Sequence, residues 1–341
     1  MIKEAIKQTV AGKNLSYEMT AAAINEIMSG QTSDIQIAAF LTALATKGET
    51  IDEIAGAAAA MRAQALPFKT EDRPTLEIVG TGGDQAHTFN ISTTSAFIAA
   101  AAGIPVTKHG NRAASSLSGA ADVLEALGAN INTSPQNSAK TLDEIGICFL
   151  FAQEYHQAMR YVAPARKELA FRTLFNILGP LANPAGASMQ LLGVSDERLL
   201  EQLPDVLQKL GVTAGMVVHG TDGLDEITLT GPTKVAAFRD GQVQKFEITP
   251  EQFGLKRCRP EDLVGGTPTE NATITREILA GKKGPKRDVV LMNAAAAVQI
   301  AKPQLTLAAA FKQAVDVLDS GQAQAKLNEF VADTNRGADV A

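Results

Sequence analysis

A chain of 341 residues, 45% hydrophobic and 20% charged, has enough apolar mass for one large domain or two smaller ones with a sizeable core. Its net charge of −6 argues against a nucleic-acid or anionic-membrane partner and leaves room only for a local basic cleft. Cys148 and Cys258 form no CxxC pair, no apolar run reaches membrane-spanning length, and Met1-Ile2-Lys3-Glu4-Ala5 does not resemble a signal peptide. A cytoplasmic protein with reduced thiols is expected.

The chain opens as helices. Ile2, Ile6 and Val10 share a face, and a helix over Tyr17 to Met28 stops at Ser29-Gly30. Ser33-x-x-Gln36 and Thr50-x-x-Glu53 are capping-box patterns, each followed by apolar residues at three- and four-residue spacing. The first of these helices stops at Lys47-Gly48 and the second before Pro67. Residues 1–67 are too few for a robust core alone, so they are expected to pack on the rest of the chain. Phe68 to Pro74 reads as a linker, and residues 75–341 as a second, larger unit.

From Leu76 strands and helices alternate, the signature of a mainly parallel sheet. The apolar run Leu76-Glu77-Ile78-Val79 leads into Gly80-Thr81-Gly82-Gly83-Asp84. Glycines in such a turn let backbone N–H groups approach a ligand. A helix over Thr94 to Ala102 follows, with Ser92 or Thr93 as its expected N-cap and a first turn suited to an anion. A second strand, Ile104 to Thr107, delivers the loop Lys108-His109-Gly110-Asn111-Arg112-Ala113-Ala114-Ser115-Ser116. Two strand–loop–helix units, each with anion-binding chemistry, point to one polyanionic ligand held between them. The glycines alone are better explained by a tight strand-to-helix turn, and the spacing matches neither a dinucleotide fingerprint nor a P-loop.

Further on, Ser134-Pro135 starts a helix that Gly146 stops. Ile147 to Phe151, Met189 to Val194 and Ala214 to Val218 read as strands, and Asp240-Gly241 as a hairpin turn. Glu270 to Asn328 is helical again. Lys282, Lys283, Lys286 and Arg287 read as a solvated inter-helix loop. The fold class expected is α/β: a small all-helical N-terminal domain, then a larger domain with a mainly parallel central sheet flanked by helices. The four histidines have no metal-ligand spacing, and no Ser/His/Asp arrangement stands out.

The run GTGGD, then TFNIST, KHGNRAASS and Ala121-Asp122-Val123-Leu124-Glu125-Ala126-Leu127-Gly128, closely resembles the anthranilate phosphoribosyltransferase family. The resemblance extends over nearly the whole chain. It implies transfer of phosphoribose from 5-phosphoribosyl 1-diphosphate to anthranilate, in tryptophan biosynthesis. It further implies a phosphoribosyl diphosphate site made of Gly80, Gly83, Asp84, Thr88, Asn90, Ile91, Ser92, Thr93, Lys108, His109, Gly110, Asn111, Arg112, Ala113, Ala114, Ser115, Ser116 and Ala120. Gly80, Asn111 and Arg166 would meet anthranilate. The motif Asp222-Gly223-Leu224-Asp225-Glu226 implies Mg²⁺, two ions per site, held by Asp225 and Glu226 with Ser92. The helices around residues 153–178 are expected to dock on the N-terminal helices, and a homodimer through the helical domain is implied. His109 is the nearest acid–base candidate. Gln85, Ala120, Gln157 and Ala170 depart from the family's usual glycine, small polar residue, proline and glycine. A pyrimidine nucleoside phosphorylase and a nucleic-acid-binding relative share the fold. The intact acidic pair and Arg166 speak against the first, and the negative charge against the second.

Overall fold

The computed structural model describes residues 1–69, 73–113 and 116–336. Part of the expected linker, and Ala114 and Ser115 of the second loop, lie outside the described residues. Four helices come first: α1 (Ile2–Val10), α2 (Tyr17–Met28), α3 (Asp34–Lys47) and α4 (Ile51–Ala63). Both capping boxes form, with Ser33 and Thr50 accepting from the third helical N–H and Gln36 and Glu53 reaching back. Glu53 is fully buried; it also accepts from Leu15 N–H and pairs with Lys47 at 2.8 Å. In α1 the buried face is Ile2, Ala5 and Thr9, and Val10 is 72% exposed. A period of 3.6 rather than 4 carries Val10 away from the face it was expected to share.

The rest of the chain builds one seven-stranded sheet. Its strands are β1 (Leu76–Gly80), β2 (Val106–Gly110), β3 (Ile147–Phe151), β4 (Met189–Gly193), β5 (Ala214–Gly220), β6 (Thr233–Arg239) and β7 (Gln242–Ile248), in the order β3-β2-β1-β4-β5-β6-β7. The first five are parallel, and β6 and β7 are antiparallel. Asp240 and Gly241, both at positive φ, form the β6–β7 turn, as a two-residue hairpin requires. Strand order reverses at β1, so the crevice above the ends of β1 and β4 is a topological switch point, where ligands bind in such sheets.

The two faces of the sheet carry separate cores. On one, Ile78, Val106, Leu191 and Val218 pack under α5 (Ile91–Ala101), α6 (Ala120–Ala126) and the C-terminal helices. Those helices are α12 (Pro268–Leu279), α13 (Pro285–Ala301), α14 (Leu307–Asp319) and α15 (Gln322–Thr334). Between β2 and β3 lies α7 (Pro135–Ile145), and between β3 and β4 lie α8 (Ala152–Tyr155), α9 (Ala163–Leu169) and α10 (Phe175–Leu178). On the other face, Leu192, Val217 and Phe238 share a core with Ile24, Phe40 and Ile54 of the N-terminal helices, with α11 (Leu199–Lys209) between them. Val162, Ala165, Phe175 and Leu178 enter that same core. The region around α9 and α10 therefore packs on the N-terminal helices, which have no other core of their own.

Three local expectations are corrected. α5 begins at Ile91, with Asn90 rather than Ser92 or Thr93 at its N-cap, and no side chain caps it. The Asn90 amide is engaged elsewhere, accepting from Ser118 Oγ and Asn271 Nδ2 and donating to Ser118 O. Second, Lys108, His109 and Gly110 belong to β2, because their register with Phe149, Leu150 and Phe151 of β3 extends the ladder. Third, Lys286 and Arg287 lie in α13: Arg287 is buried against Asp319 at 2.7 Å, and Lys286 stands over the Phe89 ring at 5.2 Å.

Candidate active site

Three segments converge above the ends of β1, β4 and β5. The turn after β1 descends from Gly80, and the loop after β5 carries Asp225 and Glu226 across to meet it. A Cβ on Gly80 would lie 2.3 Å from Asp225 Oδ2, and one on Gly193 would lie 1.7 Å from Asp225 O. Glycine at the ends of both strands is thus what admits the acidic loop. Gly82 N–H donates to Asp225 Oδ2 at 2.6 Å, and Ser92 N–H, in the first turn of α5, donates to Glu226 Oε1 at 3.1 Å. Both carboxylates therefore touch the opening strand–loop–helix unit.

Lys108 completes the cluster. Its ammonium is buried, donating to Ile78 O at 2.7 Å and to Ser92 Oγ at 3.3 Å. Burial pulls it down to about 8, while Glu226 and Glu77 act to hold its proton. The acids respond in the other direction. Burial, then the charge of Asp84, pushes Asp225 up to about 7; burial and Asp225 raise Glu226. Asp225 and Glu226, adjacent and desolvated at the end of the sheet, resist ionising together. A cation would relieve that cost. Among the described residues no cluster of three His, Cys, Asp or Glu side chains could hold a metal by itself. Two carboxylates and a hydroxyl are nonetheless the oxygen donors Mg²⁺ takes when substrate phosphates supply the remainder.

The turn itself is open to an anion. Among the described residues the N–H groups of Gly83, Asp84 and Gln85 donate to no protein acceptor. Gln85 has φ +59, the left-handed region that glycine would occupy at less cost. Thr88 pairs with Val264 in an isolated bridge, which anchors the far end of this segment. Ile91 and Thr93 are buried in the core beneath α5.

The second loop is arranged differently. Asn111 is exposed, and its Oδ1 accepts from Arg112 N–H and Gln153 Nε2. Arg112 turns away, pairing with Asp122 and Glu125 of α6 and lying over the Phe151 ring. Ala113 N–H and Gly119 N–H both donate to Asp122 Oδ2, which closes the loop at its base. Gly110 ends β2, Ser116 is exposed, and Ala120 opens α6. His109 points to the opposite face of the sheet from Lys108, with its ring 5.0 Å from that of His156. Burial and the neighbouring His156 pull it down to about 3, so at neutral pH the ring is uncharged and is no imidazolium acid.

Arg166 lies on α9, half-buried, with its guanidinium 5.7 Å from the centre of the Phe175 ring. Among the described residues no carboxylate is within ion-pair distance of it. Its charge is held in place by packing and left available.

Several supports escape a reading of motifs. Asn293, fully buried in α13, donates to Ile227 O and accepts from Ile227 N–H, which fixes the backbone just after Glu226. Asn271 of α12 holds Asn90 and Gly266 together. Ser195, after β4, joins the glycine turn by donating to Gly82 O and accepting from the Arg172 guanidinium. Of these only Asn293 carries a sequence signal, an asparagine set among apolar residues in a helix, which marks a buried amide with partners.

Comparison with known proteins gives a consistent result. The glycosyl transferase family helical bundle domain matches residues 3–65, and the glycosyl transferase family a/b domain matches residues 72–324. The anthranilate phosphoribosyltransferase of Lacticaseibacillus casei (strain BL23) is 58% identical over 340 residues, covering 100% of this chain and 99% of the relative. The crystal structure of the enzyme of that name from Thermus thermophilus superposes with a TM-score of 0.92 at 43% identity, over 97% of this chain and 99% of that one. The Saccharomyces cerevisiae anthranilate phosphoribosyltransferase in complex with PRPP and Mg gives a TM-score of 0.90 at 28% identity, over 98% of each chain.

Proposed function

The chain belongs to the anthranilate phosphoribosyltransferase family, and we propose that its two substrates meet in the crevice above the ends of β1 and β4. It transfers the phosphoribosyl group of 5-phosphoribosyl 1-diphosphate to the amine of anthranilate, giving N-(5-phosphoribosyl)anthranilate and diphosphate. That is a step of tryptophan biosynthesis. The observation that carries the placement is the contact of Asp225 and Glu226 with the glycine turn and with α5.

In this reading the free N–H groups of Gly83, Asp84 and Gln85 and the first turn of α5 cradle the phosphates. Lys108 neutralises charge that develops on the leaving diphosphate. Asp225, Glu226 and Ser92 hold Mg²⁺, which the Saccharomyces cerevisiae relative carries together with PRPP. With Asp84 touching Asp225, two ions per site are in keeping with the charge gathered there. Bound Mg²⁺ supplies electrostatic stabilisation of the diphosphate. Anthranilate lies between Asn111, Gly80 and Arg166, whose planar fork matches its carboxylate. The aromatic amine is neutral at pH 7, so this chain needs to orient it rather than deprotonate it. No residue is assigned as acid or base.

Residues 1–67 and 75–341 are taken as the two domains, with the helices around 153–178 joined to the first. A homodimer would form through that helical domain, where Val10 and Ile35 are 72% and 83% exposed. A cytoplasmic location accords with the biosynthetic role and with there being, among the described residues, no helix long and apolar enough to cross a membrane.

The direct assay follows anthranilate fluorescence with 5-phosphoribosyl 1-diphosphate and Mg²⁺ present. Loss of fluorescence matched mole for mole by diphosphate is expected. Folded protein that leaves the fluorescence unchanged would contradict the reading.

A further inference from the structure

Arg172 is a cation for which the site as described has no use. It lies between α9 and α10, two residues past Ala170, whose left-handed conformation (φ +53) turns the chain out of α9 toward the sheet. Its side chain is exposed, and among the described residues no carboxylate is within ion-pair distance. The guanidinium nevertheless has a defined position. Nη1 donates to Ser195 Oγ at 3.4 Å, and Ser195 in turn donates to Gly82 O at 3.0 Å and has Thr81 Oγ1 as a neighbour at 3.4 Å. A Cβ on Gly83 would lie 3.4 Å from Nη1 and 3.6 Å from Nη2, so the plane of the guanidinium rests on the side-chain-free face of Gly83.

Arg112 and Arg166 differ from it in this respect. Arg112 is spent on Asp122 and Glu125, and Arg166 is half-buried over Phe175. Arg172 alone of the three stands over the turn whose Gly83, Asp84 and Gln85 N–H groups have no acceptor among the described residues. An anion seated on those N–H groups would meet the guanidinium that rests on Gly83. A phosphate is the anion such a fork suits, because two parallel N–H groups match two of its oxygens.

We propose that Arg172 binds the diphosphate directly, as a second cation supplied from the segment that joins the helical region to the sheet. The assignment rests on the phosphoribosyltransferase reading above for the identity of the anion. It divides labour within one short segment: Arg166 recognises the acceptor carboxylate and Arg172 the donor's diphosphate. Its link to Ser195 then serves to park the side chain beside the turn before the substrate arrives.

Two measurements test this. Inorganic diphosphate titrated calorimetrically with Mg²⁺ onto folded protein should bind about tenfold or more weakly to Arg172→Ala, the loss expected for a charge-assisted contact. Arg172→Lys should recover part of the affinity, since it keeps the charge but not the fork. In steady-state transfer, Arg172→Ala should raise the KM for 5-phosphoribosyl 1-diphosphate and leave that for anthranilate near wild type; Arg166→Ala should do the reverse. Unchanged diphosphate affinity in Arg172→Ala would overturn the proposal. So would an equal rise in both KM values together with a lower Tm, which would make Arg172 only a latch onto Ser195. Wild-type protein without transfer activity would instead remove the functional reading, and the calorimetry would still decide whether Arg172 binds diphosphate.

Discussion

His109 and His156 show how burial sets chemistry one residue at a time. Burial comes first among the causes that pull them down, to about 3 and about 4 from the ordinary 6.5; for His109 the neighbouring His156 and the charges of Arg62 and Lys108 act in the same direction. Between pH 6.5 and these values the unfolded chain binds more protons than the folded one, so stability falls as pH falls through that window. Thermal unfolding followed from about pH 6.5 to about pH 5 should carry a declining contribution to Tm from these two rings, set against the rising one from Asp225 and Glu77, each pushed up to about 7. His156→Phe should remove that ring's share of the decline, and an unchanged slope would show that the ring is protonated at no cost in the folded state. At this scale the sequence speaks through neighbours only. Asp225-Glu226 can be singled out because two adjacent carboxylates follow an apolar strand. Ser195 cannot, because its partner Thr81 stands 114 residues away.

At the scale of elements, local chemistry is readable wherever the ends of a helix satisfy themselves. Ser33, Thr50 and Ser134 cap as their spacing requires, and Gly146 closes α7 in the left-handed conformation. The start of α5 departs from expectation because Ser118 and Asn271, from distant segments, occupy the Asn90 amide and leave the cap without a side chain. The end of α9 is settled locally. Ala170 takes φ +53 there, with its N–H bonded to Arg166 O, although glycine adopts that conformation without a Cβ clash. Ala170→Gly should therefore stabilise the protein by about 0.5–1 kcal/mol, the left-handed penalty less the extra entropy of glycine in the unfolded chain. Denaturant unfolding would register this as a higher midpoint at constant slope. A lower midpoint would mean that the Ala170 methyl makes contacts worth more than the strain.

For the molecule as a whole, the alternation of strands and helices after Leu76 foretells a mainly parallel sheet, but not the order of its strands. That order depends on which strand ends can approach one another. Gly80 and Gly193 permit the approach of the acidic loop, and the reversal of strand order at β1 puts the resulting cluster at the sheet's ligand-binding edge. A net charge of −6 would repel a diphosphate unless the crevice supplies cations of its own. Lys108 is one; the metal held by Asp225 and Glu226 would be the decisive other. The paired change Asp225→Asn, Glu226→Gln tests this most directly. Each amide oxygen can still accept from Gly82 or Ser92 N–H, so the fold should persist, with Tm near wild type. The rate of transfer, measured against Mg²⁺ concentration, should fall at least about tenfold at moderate Mg²⁺, some 1.4 kcal/mol of lost transition-state stabilisation. The Mg²⁺ needed for half-maximal rate should rise. A double variant with the wild-type Mg²⁺ profile would contradict the account, because the acidic pair would then hold no metal and the crevice would need another source of positive charge.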